Sequence, residues 1–416
     1  MSKIRKLILA VSVLLFVGCG SLDKPTNEKV VGGEVVVDLD GNSIKTSLIA
    51  AGTPGIDENS TVYGYKAYKI PYTTTDEEGN SVAVSGLMVV PLGLPEVVYS
   101  TLGLSLVSDS HGTIFPNAEA PTEVAGTTNS PDGSSILLTS LGGFVTLQAD
   151  YIGFGDSHGH YHPFILKKSL ANATVDFISA ARDFASHNEI NLNGQLFLTG
   201  YSEGGYTALA TLEKIEAETS LDVTMAAPMA GPYDVNRTAF GVLSQDTISV
   251  PSFMADIAYA YSLAYDEDVS MVVNEPYVSK LEGLLDGFHT RLEIDAELTT
   301  QTTGEGGLFS QSFVYDFFTN SNNWFREAVV ENNTHTWGPQ TTVKLIHCEG
   351  DDVIPFGISQ IAEATMNAYG AADVSIVPVE TVLGLSEPVG HVACGAMAYS
   401  IATNIFAQTR AATIGY

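Results

Sequence analysis

Ser202 stands in Gly200-Tyr201-Ser202-Glu203-Gly204, a Gly-x-Ser-x-Gly. A serine hydroxyl is a weak nucleophile until a neighbouring base takes its proton, so the question is what holds it and what activates it. Leu196 to Thr199 is a short apolar run, suited to a buried central strand. Gly204 to Ala210 opens a helix of small residues. A strand-to-helix elbow forces Ser202 into a strained backbone conformation and lifts its hydroxyl clear of the sheet. The glycines two before and two after remove side chains that would collide there. A helix N-terminus behind the serine favours negative charge developing on a bound oxygen. The plain alternative is a chance match in a glycine-rich chain; the strand, the helix and Gly205 favour the elbow.

Activation needs a base and an acid. His391 follows Gly390 in a loop beyond the expected strand Val374 to Val377, ahead of a closing helix over Val392 to Gln408. Asp351 sits in His347-Cys348-Glu349-Gly350-Asp351-Asp352-Val353-Ile354-Pro355, just after the expected strand Thr342 to Ile346. Asp352 takes the acid's place if the loop runs one residue differently. His391 would accept the Ser202 proton, and Asp351 would hold the imidazole tautomer. The oxyanion would be met by the N–H groups of Thr113, after Ser110-His111-Gly112, and of Glu203. A mere turn is the competing reading of the Thr113 segment. This chemistry requires no metal and no organic cofactor. Three alternating histidines, His158, His160 and His162, invite a metal reading. Gly159, Pro163 and the preceding glycines point instead to a loop with surface or mouth-lining histidines. Asp38 to Asn42 lacks the remaining ligands of a calcium loop and reads as a turn.

These groups must be brought together by a sheet. Tyr63 to Tyr72 and Val82 to Pro91 alternate around Thr75 to Asn80 as a hairpin. Leu102 to Ser108, Phe144 to Ala149, Gln195 to Thr199 and Val223 to Met229 follow as strands, with helices over Ser134 to Leu141 and Leu166 to His187. From 235 to 337 the alternation of strand and helix stops. Helical spacing over Met254 to Tyr265 and Tyr277 to Phe288, and aromatics from Phe309 to Phe325, read as an inserted helical lid. The expected organisation is a core over 31–234, the lid over 235–337, and the rest of the core over 338–416. Cys348 and Cys394 lie three residues from Asp351 and His391 respectively. If those two side chains meet, the cysteines come within bridging range, and an oxidising compartment would join them. Two separate buried thiols are the alternative.

The first residues do not belong to the fold. Lys3, Arg5 and Lys6 precede an apolar run, Leu7 to Val17, too short to span a bilayer. Residues 1–18 read as a signal peptide and 19–30 as a tether. Phe16-Val17-Gly18-Cys19 resembles a bacterial lipobox, which implies lipid on the Cys19 sulfur. Gly20 after the cysteine would fit export to an outer membrane. Acidic residues outnumber basic ones 48 to 18, for a net charge of −30, which argues against nucleic acid as a partner. The 45% hydrophobic content allows a sizeable core.

The hairpin, Ser110-His111-Gly112-Thr113, Asp150-Tyr151-x-Gly-x-Gly, Gly200 to Gly205, Trp337-Gly338-Pro339, Asp351-x-x-Ile354-Pro355 and Gly390-His391 together resemble the secretory (lipase A-like) lipases and related bacterial esterases of the α/β-hydrolase superfamily. The resemblance spans Tyr63 to the C-terminus. It implies an α/β-hydrolase fold with a mostly parallel sheet and an inserted helical lid. It also implies hydrolysis of small-molecule or lipid esters through Ser202, Asp351 and His391, in the order this fold uses. Asp109-Ser110 departs from the family, where bulkier or amide residues precede the histidine. A peptidase on the same scaffold, and a non-catalytic surface-binding lipoprotein, are the two other readings.

Overall fold

The computed structural model describes residues 29–53, 55–128 and 133–416. The expected signal peptide, Cys19 and the tether up to residue 28 lie outside the described residues. Lys29 and Val30, expected to end the tether, instead form a two-residue strand, β1, paired with the next strand.

Nine further strands complete one sheet: β2 (Gly33–Leu39), β3 (Gly64–Thr75), β4 (Ser81–Leu92), β5 (Leu104–Ser110), β6 (Val145–Ala149), β7 (Leu192–Tyr201), β8 (Met225–Met229), β9 (Val343–His347) and β10 (Val374–Pro378). Their spatial order is β1-β2-β3-β4-β6-β5-β7-β8-β9-β10. β1 to β4 and the β4–β6 pair are antiparallel, and every pair from β6 to β10 is parallel. Leu196, Phe197 and Leu198 of β7 are all fully buried, as expected of a central parallel strand covered on both faces. The register pairs Ser110 with Gly200, Tyr201 with Met229, and Met229 with Ile346. The carboxyl ends of β5, β7, β8 and β9 therefore share one edge. The chain crosses from β5 to β6 on one side and to β7 on the other, so a cleft opens at that edge.

The closing helix, His391–Thr413, is tied to β7 and to the chain before β6 by aromatic packing. Phe406 lies 4.7 Å from the ring of Phe197 and 6.4 Å from that of Phe144. Burying each such ring stabilises the fold by about 1.5–3 kcal/mol. His391 was expected in a loop; it is the first residue of this helix, with Gly390 as its extended N-cap.

Between β8 and β9 the described chain is helix and loop, including Val235–Leu243, Pro251–Ala264, Arg291–Glu297, Gln311–Thr319 and Trp324–Glu331. The helix expected over Tyr277 to Phe288 shrinks to short turns at Val278–Lys280 and Leu281–Leu284. The second turn ends at Leu285, and Gly287 two residues on sits at φ +79°, outside the helical region. The Asp38–Asn42 turn is also corrected. Asp40 caps a helix over Gly41–Ala50, accepting from the Asn42 and Ser43 N–H groups.

Candidate active site

Ser202 joins β7 to the helix Glu203–Glu218 at φ 61° and ψ −120°. A non-glycine residue there costs on the order of 1–3 kcal/mol and persists only when its surroundings impose it. They do so here: the Ser202 N–H donates to the Met229 carbonyl at 2.9 Å, locking the turn to β8. A Cβ on Gly204 would collide with the Ser110 carbonyl, and one on Gly200 with the Gly204 carbonyl. Both glycines are needed because neighbouring backbones press against the elbow.

Ser202 Oγ lies 2.9 Å from His391 Nε2. His391 Nδ1 lies 2.6 Å from Asp351 Oδ2. A carboxylate only accepts, so Nδ1 carries the hydrogen and Nε2 is left to accept from Ser202. Asp352 does not reach the ring; its Oδ1 accepts the His391 backbone N–H at 2.8 Å. The two adjacent acids thus divide the work, one on the imidazole and one on the helix start.

Sequence reasoning missed what stands behind Asp351. His347, fully buried, sits with Nε2 at 3.2 Å from Asp351 Oδ2 and 3.0 Å from the Ile354 carbonyl. Its Nδ1 accepts from Ser359 Oγ at 2.7 Å. Asp351 Oδ1 accepts the N–H groups of Val353 and Ile354. Burial works against a charged carboxylate, but hydrogen bonds from His347, His391 and Val353 outweigh it and hold Asp351 well below the usual carboxylate range. Cys348 and Cys394 are joined in a disulfide with Cα atoms 6.0 Å apart. It links the acid loop to the first turn of the His391 helix.

On the other side, Thr113 lines the cavities that also contain Ser202. Gly112 packs so close that a Cβ there would lie 3.0 Å from the Tyr201 carbonyl. The segment is braced from behind by the Asp150-Tyr151 motif. Tyr151 OH donates to the His111 carbonyl at 3.2 Å, and the His111 and Tyr151 rings stack at 4.1 Å. Asp109, the departure noted above, is buried and accepts from Ser134, Gln148 and Tyr399. Glu203 opens the elbow helix, so its N–H has no intrahelical acceptor.

His162 was expected at the surface or mouth. Its side chain is instead buried, 2.8 Å from Glu203 Oε1. The apolar neighbours Phe154 and Phe164 could have flagged it. His158 and His160 are exposed.

Two cavities meet at Ser202. One is almost wholly apolar and runs into the helical insertion past Phe164, Val242, Met254, Ile257 and Phe313. The other is more polar and open, bounded by His111, Tyr201, His391 and Tyr399.

No protein-family model matches the chain, and no curated protein does either. Solved structures do. A candidate hydrolase from Legionella pneumophila superposes with a TM-score of 0.79 at 22% identity, covering 92% of this chain and 98% of that one. The rice cell wall degrading esterase LipA from Xanthomonas oryzae gives 0.76 at 24% identity, covering 94% and 98%. Candida antarctica lipase A gives 0.59 at 14% identity, covering 91% and 80%. With the sheet order and the edge described above, these likenesses establish that the chain has an α/β-hydrolase fold with a mostly parallel sheet.

Proposed function

We propose that the protein is a serine hydrolase that cleaves carboxylic esters. The observation that carries this reading is the unbroken hydrogen-bonded line from a strained Ser202 through His391 to a buried, ionised Asp351. Ser202 Oγ attacks the ester carbonyl carbon as its proton passes to His391 Nε2. The carbonyl electron pair moves onto oxygen, where the N–H groups of Thr113 and Glu203 receive it. Losing one such donor typically costs about 3 kcal/mol of transition-state stabilisation. The tetrahedral species collapses, the bond to the alcohol oxygen breaks, and His391 gives that oxygen its proton. Water then repeats the sequence on the acyl-enzyme. Asp351 stays ionised throughout and stabilises the imidazolium.

The apolar cavity suits an acyl chain, with the insertion over 235–337 as its lid, and the open cavity suits the alcohol. The words esterase and lipase in the names of two structural neighbours agree with this class. A fluorophosphonate probe tests it: the wild type should label stoichiometrically and Ser202→Ala should not label. Unlabelled wild type would refute the proposal. We further propose, on Lys3, Arg5, Lys6, the short apolar run and Cys19, a lipid-anchored protein of the cell envelope. Cys19→Ser should move it from the membrane to the soluble fraction.

A further inference from the structure

A second histidine–carboxylate pair lies against the elbow. Glu203 is 1% exposed, and its Oε1 is 2.8 Å from His162 Nε2. His162 Nδ1 is 3.0 Å from the Ile152 carbonyl oxygen. A carbonyl oxygen accepts, and so does a carboxylate. A neutral imidazole has one N–H and cannot serve both. The pair therefore holds one proton more than a neutral ring and a carboxylate would. Glu203 Oε2 is buried and meets no hydrogen-bond donor among the described residues, so Oε1 and His162 are what hold this side chain.

We infer that His162 is the positioning residue of the oxyanion side: as an imidazolium it grips the Glu203 carboxylate and so fixes the first turn of the helix whose leading N–H meets the ester oxygen. The inference rests on the reading of Ser202 as the nucleophile. Glu203 is the residue next to Ser202, so its side chain and its N–H move together. A displacement of about 1 Å at such a donor costs roughly 100-fold in rate.

The electrostatic surroundings agree. Burial disfavours the charged ring, but Glu203, with a further contribution from Asp256, outweighs it, and the His162 pKa is raised above the ordinary histidine value. Asp256 comes from the insertion helix Pro251–Ala264 and is itself buried. His111, from the loop after β5, has its own pKa lowered, chiefly by burial and in small part by the His162 charge, and the Tyr151 ring lies 6.0 Å from His162. Glu282 and Asp286 of the insertion line the same cavity as His162. When pH rises through the His162 pKa, the Nε2 proton leaves and a lone pair faces the carboxylate. The grip is lost at alkaline pH, where a serine–histidine pair alone would keep its full rate.

The test uses the full chain with nitrogen-15 in its histidines. Ring nitrogen shifts are recorded, and kcat and KM for p-nitrophenyl butyrate are measured between about pH 6 and pH 10. Expected are two protonated nitrogens on His162 at the acid end and a wild-type kcat that falls at the alkaline end. His162→Leu should lose roughly 100-fold in kcat with KM changed by less than about three-fold. His162→Gln keeps a donor to Glu203 that does not titrate; it should regain part of the loss and show no alkaline fall. An unprotonated His162 nitrogen at the acid end would overturn the inference, as would an alkaline fall in His162→Gln equal to that of the wild type. If Ser202 takes no fluorophosphonate, the hydrolase reading falls and the positioning role with it, while the ring nitrogens still report the proton count.

Discussion

Two buried histidine–carboxylate pairs flank Ser202, and they are built to opposite ends. In the His391–Asp351 pair, the far nitrogen of the ring meets a hydroxyl, which can give a proton. In the His162–Glu203 pair, the far nitrogen meets a carbonyl oxygen, which cannot. Asp351 is surrounded by donors on both oxygens, whereas Glu203 leaves one oxygen unmatched. Similar partners at similar distances therefore carry different proton counts. The first pair is arranged to pass a proton on; the second is arranged to keep one. The identity of a histidine's second partner decides which role it takes.

This contrast can be tested at graded cost. The largest effect is expected at Asp351. Asp351→Asn should lower kcat by roughly 10⁴-fold, because an amide favours the wrong imidazole tautomer. Asp352→Asn should cost about ten-fold or less, since it bonds the His391 backbone rather than the ring. Steady-state kinetics on the two variants, with circular dichroism to check folding, decides between them; the reverse ranking would exchange their roles.

A smaller effect, on stability, is expected from the disulfide. Cys348 and Cys394 are separated by 46 positions, and closing such a loop is worth about 4 kcal/mol by chain-entropy reasoning. Replacing both by alanine should lower the denaturation midpoint and weaken the Asp351–His391 side more than the His162 side. Thiol titration of the denatured, unreduced protein should find neither cysteine free.

The smallest effect concerns Asp256 beside the second pair. Burial raises its pKa to about 7, with His162 opposing and Glu203 adding to the rise. The folded protein then binds a proton here that the unfolded chain has already released. Stability contributed by the protonated acid is present at low pH and is lost as pH rises from the ordinary aspartate range through about 7, by at most about 1.4 kcal/mol per pH unit. Asp256→Asn should flatten that part of the stability–pH curve. Urea titrations at several pH values would reveal an unchanged slope, which would count against a buried neutral acid.

Much of this was legible in the sequence because it is local. The elbow is written in consecutive residues, and the hairpin and central strands in period-two or continuous apolar patterns. The fold class was implied by the family resemblance that these local motifs carry. What escaped depends on contacts between distant segments. His347 reads as a strand-end histidine until the loop folds back to bring Asp351 under it. His162 ends a polar run; Phe154 and Phe164 lie close to it in sequence and pack on its ring, but Glu203, which takes its Nε2, is 41 positions away. His391 was read into the loop just ahead of the closing helix, yet Asp352, 39 positions away, accepts its N–H and the helix begins there.

The Gly-x-Ser-x-Gly pattern treats its two x positions as free, and in this chain neither is. Tyr201 donates its hydroxyl to the His391 carbonyl at 2.6 Å, and Glu203 grips His162. On the proposed roles, one neighbour of Ser202 is thus moored to the base and the other to the oxyanion side. A library that varies positions 201 and 203 should return far fewer active clones than the pattern suggests, with losses of two different kinds. Grafting the pentapeptide into another scaffold would carry the glycines and the serine, but not the two distant moorings that Tyr201 and Glu203 were chosen to reach.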